Sequence, residues 1–283
     1  MKVSEIYKST KQPVSFEIFP PKGYLSIREL SEILSQMKSL NPDFISVTYS
    51  AGGSGNSDRT ATVASLVQNT YGINAVAHLT CANSDISEIE SMSEKLKSEG
   101  IENILALRGD SIEGTHSEFS YASDLIPILK EKGFCIGAAC YPEGHIACET
   151  PEKDWDYMKT KEVLGADFFM SQLFFDNTYF YKFLDYARKI GVTKPIIPGI
   201  MPILSQSQIS RMIFMCGASL PSAIIRLLNK YSGNAADLRK AGIEYAASQA
   251  MELLENGSDG IHIYTMNHPD IAQYHTERIR SRK

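Results

Sequence analysis

The 283-residue sequence has no run of 18 apolar residues, and its start, MKVSEIYKSTKQPVSFEIFPPKG, has no seven-residue apolar core behind a basic cluster. Neither a membrane span nor a secretory leader is expected, and the expected location is the cytoplasm. Charge of one sign is also lacking. The 33 acidic residues outnumber the 28 basic ones by a scattered margin that leaves a formal net charge of -5, a poor surface for a phosphate backbone, so nucleic acid is not expected as a partner. Cysteine is sparse: Cys81, Cys135, Cys140, Cys148 and Cys216 fall at no metal-ligand spacing, and they read as small buried hydrophobes in a reducing compartment. Nor is there a glycine-rich phosphate fingerprint after the first strand-like segment, where the sequence reads EIFPPKG; that argues against an open, doubly wound dinucleotide fold. No Pro/Gly-rich linker, charge shift or low-complexity run divides the chain. One domain spanning 1–283 is the simpler expectation.

What is present is alternation. Hydrophobic residues make up 43% of the chain, enough to fill a sizeable core. Strand-like apolar runs begin at Val14, Phe44, Ala75, Asn103, Phe134, Asp167 and Lys194, and an eighth, GIHIYT, begins at Gly260 after a longer interval. Most are apolar on both faces, as strands covered by helices must be. Helical patterns lie between them. Ser26 with Glu29 and Asp85 with Glu88 are capping-box pairs. Gly100, Gly133, Gly165 and Gly191 each stand where a helix would stop before the next strand. Eight strands alternating with helices predict a closed eight-stranded (β/α)8 TIM barrel. Helical stretches at 207–216 and 235–255 predict an extra helix before strand eight.

In such a barrel the C-terminal strand ends meet at one mouth, where chemistry is assembled from several strands. Glu17, Thr48, His78, Arg108, Asp110, Tyr141, Gln172 and Tyr264 interrupt apolar strands near those ends. Glu17 pointing into the mouth would suit a general acid; an ion-paired structural glutamate is the alternative. Arg108, Gly109 and Asp110 set a fixed cation, an unhindered backbone and an anion side by side, suited to an anionic or heteroaromatic cofactor or to a loop salt bridge. His78 could donate to a cofactor oxygen or be a satisfied core histidine. Gln172 offers bidentate hydrogen bonding to a planar ring edge, or serves as a buried structural amide. Lys161, two helical turns after Asp154, could reach a diphosphate or sit on the surface. Glu143 and His145 lack a third ligand, so no metal is expected.

These segments resemble the methylenetetrahydrofolate reductase family in its bacterial, single-domain type. SFEIFPP at Ser15, VTY at Val47, HLTC at His78, LRGD at Leu107, YASDL at Tyr121, AACYPE at Ala138, SQLFFD at Ser171, IPGIMPI at Ile197 and YTMN at Tyr264 occur in the family's order over nearly the whole chain. The resemblance implies a barrel that binds FAD and reduces 5,10-methylenetetrahydrofolate to 5-methyltetrahydrofolate, with NADH or NADPH as co-substrate. It places Thr48, His78, Arg108, Gly109, Asp110, Tyr121, Tyr141, Asp154 and Lys161 at or beside FAD. Glu17, Asp110 and Gln172 fall on catalytic and folate-binding positions, and Gln208 on a further substrate contact. Met212 stands where a relative stacks a phenylalanine on substrate or nicotinamide. His268 replaces the arginine that ends the family's YTxNR, and Tyr157 and Thr160 replace an asparagine and an arginine beside the adenosine half of FAD. The resemblance further implies a homo-oligomer, and some relatives draw electrons from a partner protein instead of nicotinamide.

Overall fold

The computed structural model describes residues 1–21, 26–49, 57–110 and 117–281. Its strand segments are β1 (Val14–Ile18), β2 (Phe44–Val47), β3 (Ala75–Thr80), β4 (Asn103–Leu107), β5 (Cys135–Cys140), β6 (Phe168–Ser171), β7 (Ile196–Ile197), β8 (Gly199–Ile200) and β9 (Ile261–Tyr264). All pair in parallel, in the order β7-β6-β5-β4-β3-β2-β1-β9-β8. The seventh strand expected from the sequence is split at Pro198. Its first half pairs with β6 and its second with β9, because proline has no N–H to continue one ladder. The Pro198 carbonyl still accepts from the His262 N–H at 3.0 Å. One segment thus holds both neighbours and closes the ring, giving the (β/α)8 barrel that the alternation predicts.

The helices are α1 (Val3–Ser9), α2 (Ile27–Ser39), α3 (Ser57–Ser65, prolonged by a π turn at Leu66–Thr70), α4 (Ile86–Ser98), α5 (Ala122–Glu131), α6 (Pro151–Leu164), α7 (Asn177–Lys189), α8 (Gln206–Cys216), α9 (Ser222–Lys230), α10 (Ala235–Glu255) and α11 (Pro269–Arg280). Both expected capping boxes form: Ser26 and Asp85 accept from the backbone of Glu29 and Glu88, whose side chains reach back. Three helices, one more than expected, separate β8 from β9. The unexpected one, α9, is short and buries only Ile224, within a satellite cluster that includes Leu173, Phe175, Met201 and Ile209.

Strand side chains alternate between two cores. Phe16, Ile45, Ala77, Ile104, Ile136, Phe169 and Ile263 face the helices. Phe44, Val76, Leu105, Cys135, Phe168 and Ile197 face the barrel axis, where Val3 and Ile6 of α1 join them as a floor. Burying two such side chains stabilises by about 1.5–3 kcal/mol each. Gly137 is part of this packing, since a Cβ there would fall 2.4 Å from the ring of Phe168. The floor leaves the opposite end of the barrel open for polar groups.

Candidate active site

A cavity of about 380 Å³ opens at the C-terminal ends of the strands, and its wall includes Glu17, Thr48, His78, Arg108, Gly109, Asp110, Tyr141, Gln172 and Tyr264. Period-two alternation brings them together. Glu17 stands in register with Ser46 on one side and Tyr264 on the other, two positions beyond Ser15, which is in register with His262.

Glu17 is only 17% exposed, and its Oε2 lies 3.5 Å from His78 Nε2, 3.6 Å from His262 Nε2 and 3.4 Å from Ser46 Oγ, which donates to it. Burial lowers the His78 pKa to about 4, against the opposing pull of Glu17, so the ring is neutral near pH 7. Its buried Nε2 has no hydrogen-bond partner among the described residues. Tyr264 donates its hydroxyl to the Ser171 carbonyl at 2.7 Å, and burial, then Glu17, raises its pKa well above the usual phenol value. The β1 backbone is fixed from β9. Thr265 Oγ1 donates to the Glu17 carbonyl at 2.6 Å. Asn267 then accepts from the Phe19 N–H and donates to the Phe19 carbonyl, both at 3.0 Å. The turn that folds it back carries two successive residues in left-handed conformation, Met266 (φ 54°) and Asn267 (φ 58°).

The far wall is built around Gly109, whose φ of 79° would strain any other residue and whose Cβ would come 2.8 Å from Thr80. Only glycine lets Arg108 and Asp110 flank the backbone at this point. Tyr141 meets His145 edge to face, with centroids 4.8 Å apart, and both line the cavity. Asp154 and Lys161 stand behind that wall on α6. Lys161 Nζ donates to the carbonyl of Ala139 at 2.9 Å, and burial lowers its pKa while Asp154 opposes. Burial likewise raises the Asp154 pKa, against Lys161. Gln172 lines the cavity, and its Oε1 accepts from the Leu173 N–H at 2.9 Å, which fixes the amide while leaving its N–H₂ and a second lone pair of Oε1 for a ligand.

The remaining expected residues lie elsewhere. Tyr121 is the N-cap residue of α5 and is 63% exposed. Gln208 uses both ends of its amide on the loop before α8, accepting from the Leu204 N–H and donating to the Pro202 carbonyl. Met212 packs against the satellite cluster, His268 is exposed at the start of α11, and Tyr157 and Thr160 are exposed on α6. Glu143 accepts from the Ser219 N–H at 2.9 Å, which ties the β5–α6 loop to the segment after α8. Met215 and Cys216, from the last turn of α8, line the cavity beside Ile146. The sequence reading missed Ser15, Ser46 and His262. Their signal was available: polar residues spaced by two along otherwise apolar strands, repeated on three strands that the barrel makes adjacent.

The chain matches the family described as Methylenetetrahydrofolate reductase over residues 2–279. It is 32% identical over 270 residues to the 5,10-methylenetetrahydrofolate reductase of Escherichia coli (strain K12), covering 94% of this chain and 91% of that protein. It is 34% identical over 284 residues to Methylenetetrahydrofolate reductase (NADH) 1 of Arabidopsis thaliana, covering 94% of this chain and 48% of that one. The chain therefore spans about half the length of such plant relatives. Among solved structures, an uncharacterized protein from Clostridium thermocellum that binds two copies of 5-methyl-5,6,7,8-tetrahydrofolic acid superposes with a TM-score of 0.71 at 16% identity, over 99% of both chains. Tryptophan synthase from M. tuberculosis gives 0.57 at 10% identity, over 98% of this chain and 94% of that one. These likenesses concern the barrel fold.

Proposed function

Since the chain belongs to the methylenetetrahydrofolate reductase family, we propose that it is a cytoplasmic single-barrel enzyme reducing 5,10-methylenetetrahydrofolate to 5-methyltetrahydrofolate, with FAD as cofactor and NADH or NADPH as the source of hydride. The observation that carries this reading is the convergence of Glu17, His78, Arg108, Asp110, Tyr141 and Gln172 on one cavity.

The residues present fit a flavin dinucleotide. His78 offers a neutral ring whose buried Nε2 has no hydrogen-bond partner among the described residues, Thr48 a hydroxyl, Gly109 a backbone that a flat ring can approach, and Arg108 positive charge for an anionic tail. The cavity lies within the size range of small-molecule sites. A bound FAD would supply the reversible two-electron chemistry needed to pass a hydride from a nicotinamide to the folate carbon. Glu17 then serves as the acid that protonates the amine nitrogen departing when the folate's five-membered ring opens. Asp110 stabilises the positive charge that develops on the opened folate, at the rim where Arg108 balances it. Gln172 presents its amide N–H₂ to the pterin edge, and the neutral His78 keeps a second cation away from the charge that Asp110 must stabilise.

The test begins with the absorption spectrum of the purified protein. A flavin band that bleaches on anaerobic addition of NADH or NADPH and returns on addition of 5,10-methylenetetrahydrofolate is the expected result. Colourless protein with no affinity for FAD would overturn the reading. Bleaching by reduced ferredoxin alone would assign the donor to a partner protein.

A further inference from the structure

Beneath Glu17 lies a chain of three buried polar side chains that the proposed chemistry does not use directly. His262 has 0% exposure. Its ring stacks on Phe44 with centroids 6.1 Å apart and meets Tyr264 edge to face at 5.5 Å, so aromatic rings bound it on two sides. Nδ1 lies 2.8 Å from Ser15 Oγ, Nε2 lies 3.3 Å from Ser46 Oγ, and Ser46 Oγ lies 3.4 Å from Glu17 Oε2. Ser15 has one hydroxyl proton, and Nδ1 at 2.8 Å is closer to it than the Ile261 carbonyl at 3.3 Å. Given to Nδ1, that proton leaves the hydrogen of a neutral imidazole on Nε2, where it meets Ser46 Oγ. The Ser46 proton is then directed to Glu17. Each group in the series is donor to the next, an arrangement in which successive hydrogen bonds polarise one another.

We propose that Ser15, His262 and Ser46 form a one-way hydrogen-bond chain that ends on Glu17 Oε2 and fixes it as an accepting oxygen, so that the proton Glu17 delivers is carried by Oε1. All described contacts of the carboxyl group fall on Oε2, and Oε1 has none among the described residues. His262 and Ser46 are therefore positioning residues. They act through Glu17, and the inference rests on the acid role assigned to it above.

Two measurements test it. The first needs neither cofactor nor turnover. In protein labelled with ¹⁵N-histidine, long-range proton–nitrogen correlation should show the His262 ring as the Nε2–H tautomer, with the signal identified by its loss in His262→Gln. An Nδ1–H tautomer reverses the chain and overturns the proposal. The second follows the FAD-loaded enzyme through its separate half-reactions. Ser46→Ala should slow folate reduction by about 10- to 100-fold, while flavin reduction by nicotinamide and the folate KM change little, and the melting temperature falls only as far as the loss of one buried hydrogen-bond partner requires. His262→Gln, which can still donate toward Ser46, should retain more of the folate rate than His262→Leu. An unchanged folate rate in Ser46→Ala, or equal loss in both half-reactions, overturns the proposal. Wild-type protein that reduces no folate would overturn the proposed function instead, and the tautomer measurement would still decide the chain.

Discussion

The two ends of the barrel are made from the same strands under the same alternation, yet they put it to opposite uses. At the floor, inward positions hold Phe44, Val76, Leu105 and Phe168, sealed by Val3 and Ile6. Two residues further along, the inward positions hold Ser46 and His78, beside Glu17 of the neighbouring strand. The floor gains contact and loses water. The mouth places polar groups in a partly dry cavity where burial works against the charged form of His78, and it relies on the floor for a rigid base. Substitutions should therefore separate by end, those at the floor changing stability and those at the mouth changing chemistry.

The largest separation is expected for Glu17→Gln. Positioned proton transfer contributes about 10²- to 10⁴-fold, so folate reduction should fall by that factor while flavin reduction by nicotinamide and the melting temperature stay near wild type. Stopped-flow measurement of each half-reaction checks this. Equal losses in both would remove Glu17 from the acid role and blur the distinction between the ends. The opposite result is expected at the floor. Phe168 is fully buried and occupies the space left by Gly137, so Phe168→Ala should cost about 3–5 kcal/mol in urea unfolding, and the folded protein should retain its affinity for FAD.

How much of this the sequence made readable follows from the same contrast. The strands were legible because both faces are apolar for a reason of chemistry, with helices outside and floor inside. The split at Pro198 was visible as a proline, but its consequence, one segment serving two neighbours, depends on ring closure that no local pattern encodes. The helix α1 escaped notice because seven residues with two buried side chains carry too little periodicity to register. At the mouth, residues that interrupt apolar strands, such as Glu17 and His78, could be found singly. Ser46 and His262 could be seen only as part of a pattern, polar residues spaced by two along apolar strands, whose meaning comes from the register that sets them beside Glu17. Tyr121 and Gln208 entered by resemblance alone, and the fold leaves the first exposed and the second engaged with its own loop.

Stability should also depend on pH in a direction set by two buried histidines, one at the mouth and one on an outer helix. Burial holds His78 at the mouth and His275 on α11 at about 4, below the 6.5 of a free imidazole. Between those values the unfolded chain binds protons that the folded one refuses. The stability associated with these neutral rings is complete above pH 6.5 and is lost as pH falls toward about 4. Each ring contributes on the order of 3 kcal/mol by the acid limit. Urea midpoints at pH 7 and pH 4.5 should differ strongly in wild type, less in His275→Gln and less again when His78→Gln is added. An undiminished difference in the double variant would assign the acid sensitivity to other groups.

The smallest effect tests how the floor is attached. The N-cap of α1, Lys2, makes no side-chain capping bond, so the first turn takes its acceptor from β4: Asn103 Oδ1 receives the Val3 N–H at 2.8 Å. The same amide donates to the carbonyls of Met1 and Ala75, each at 3.1 Å. Asn103→Ala leaves these backbone groups without that partner and should cost about 1–3 kcal/mol. Asn103→Asp keeps the acceptor for Val3 but loses the donor, and should fall between alanine and wild type. Hydrogen exchange resolved by residue should show the loss first at the amides of α1, with Glu17 and its neighbours unaffected. Faster exchange at the mouth would mean that the two ends are mechanically coupled, and that the site's geometry depends on whether seven N-terminal residues remain docked.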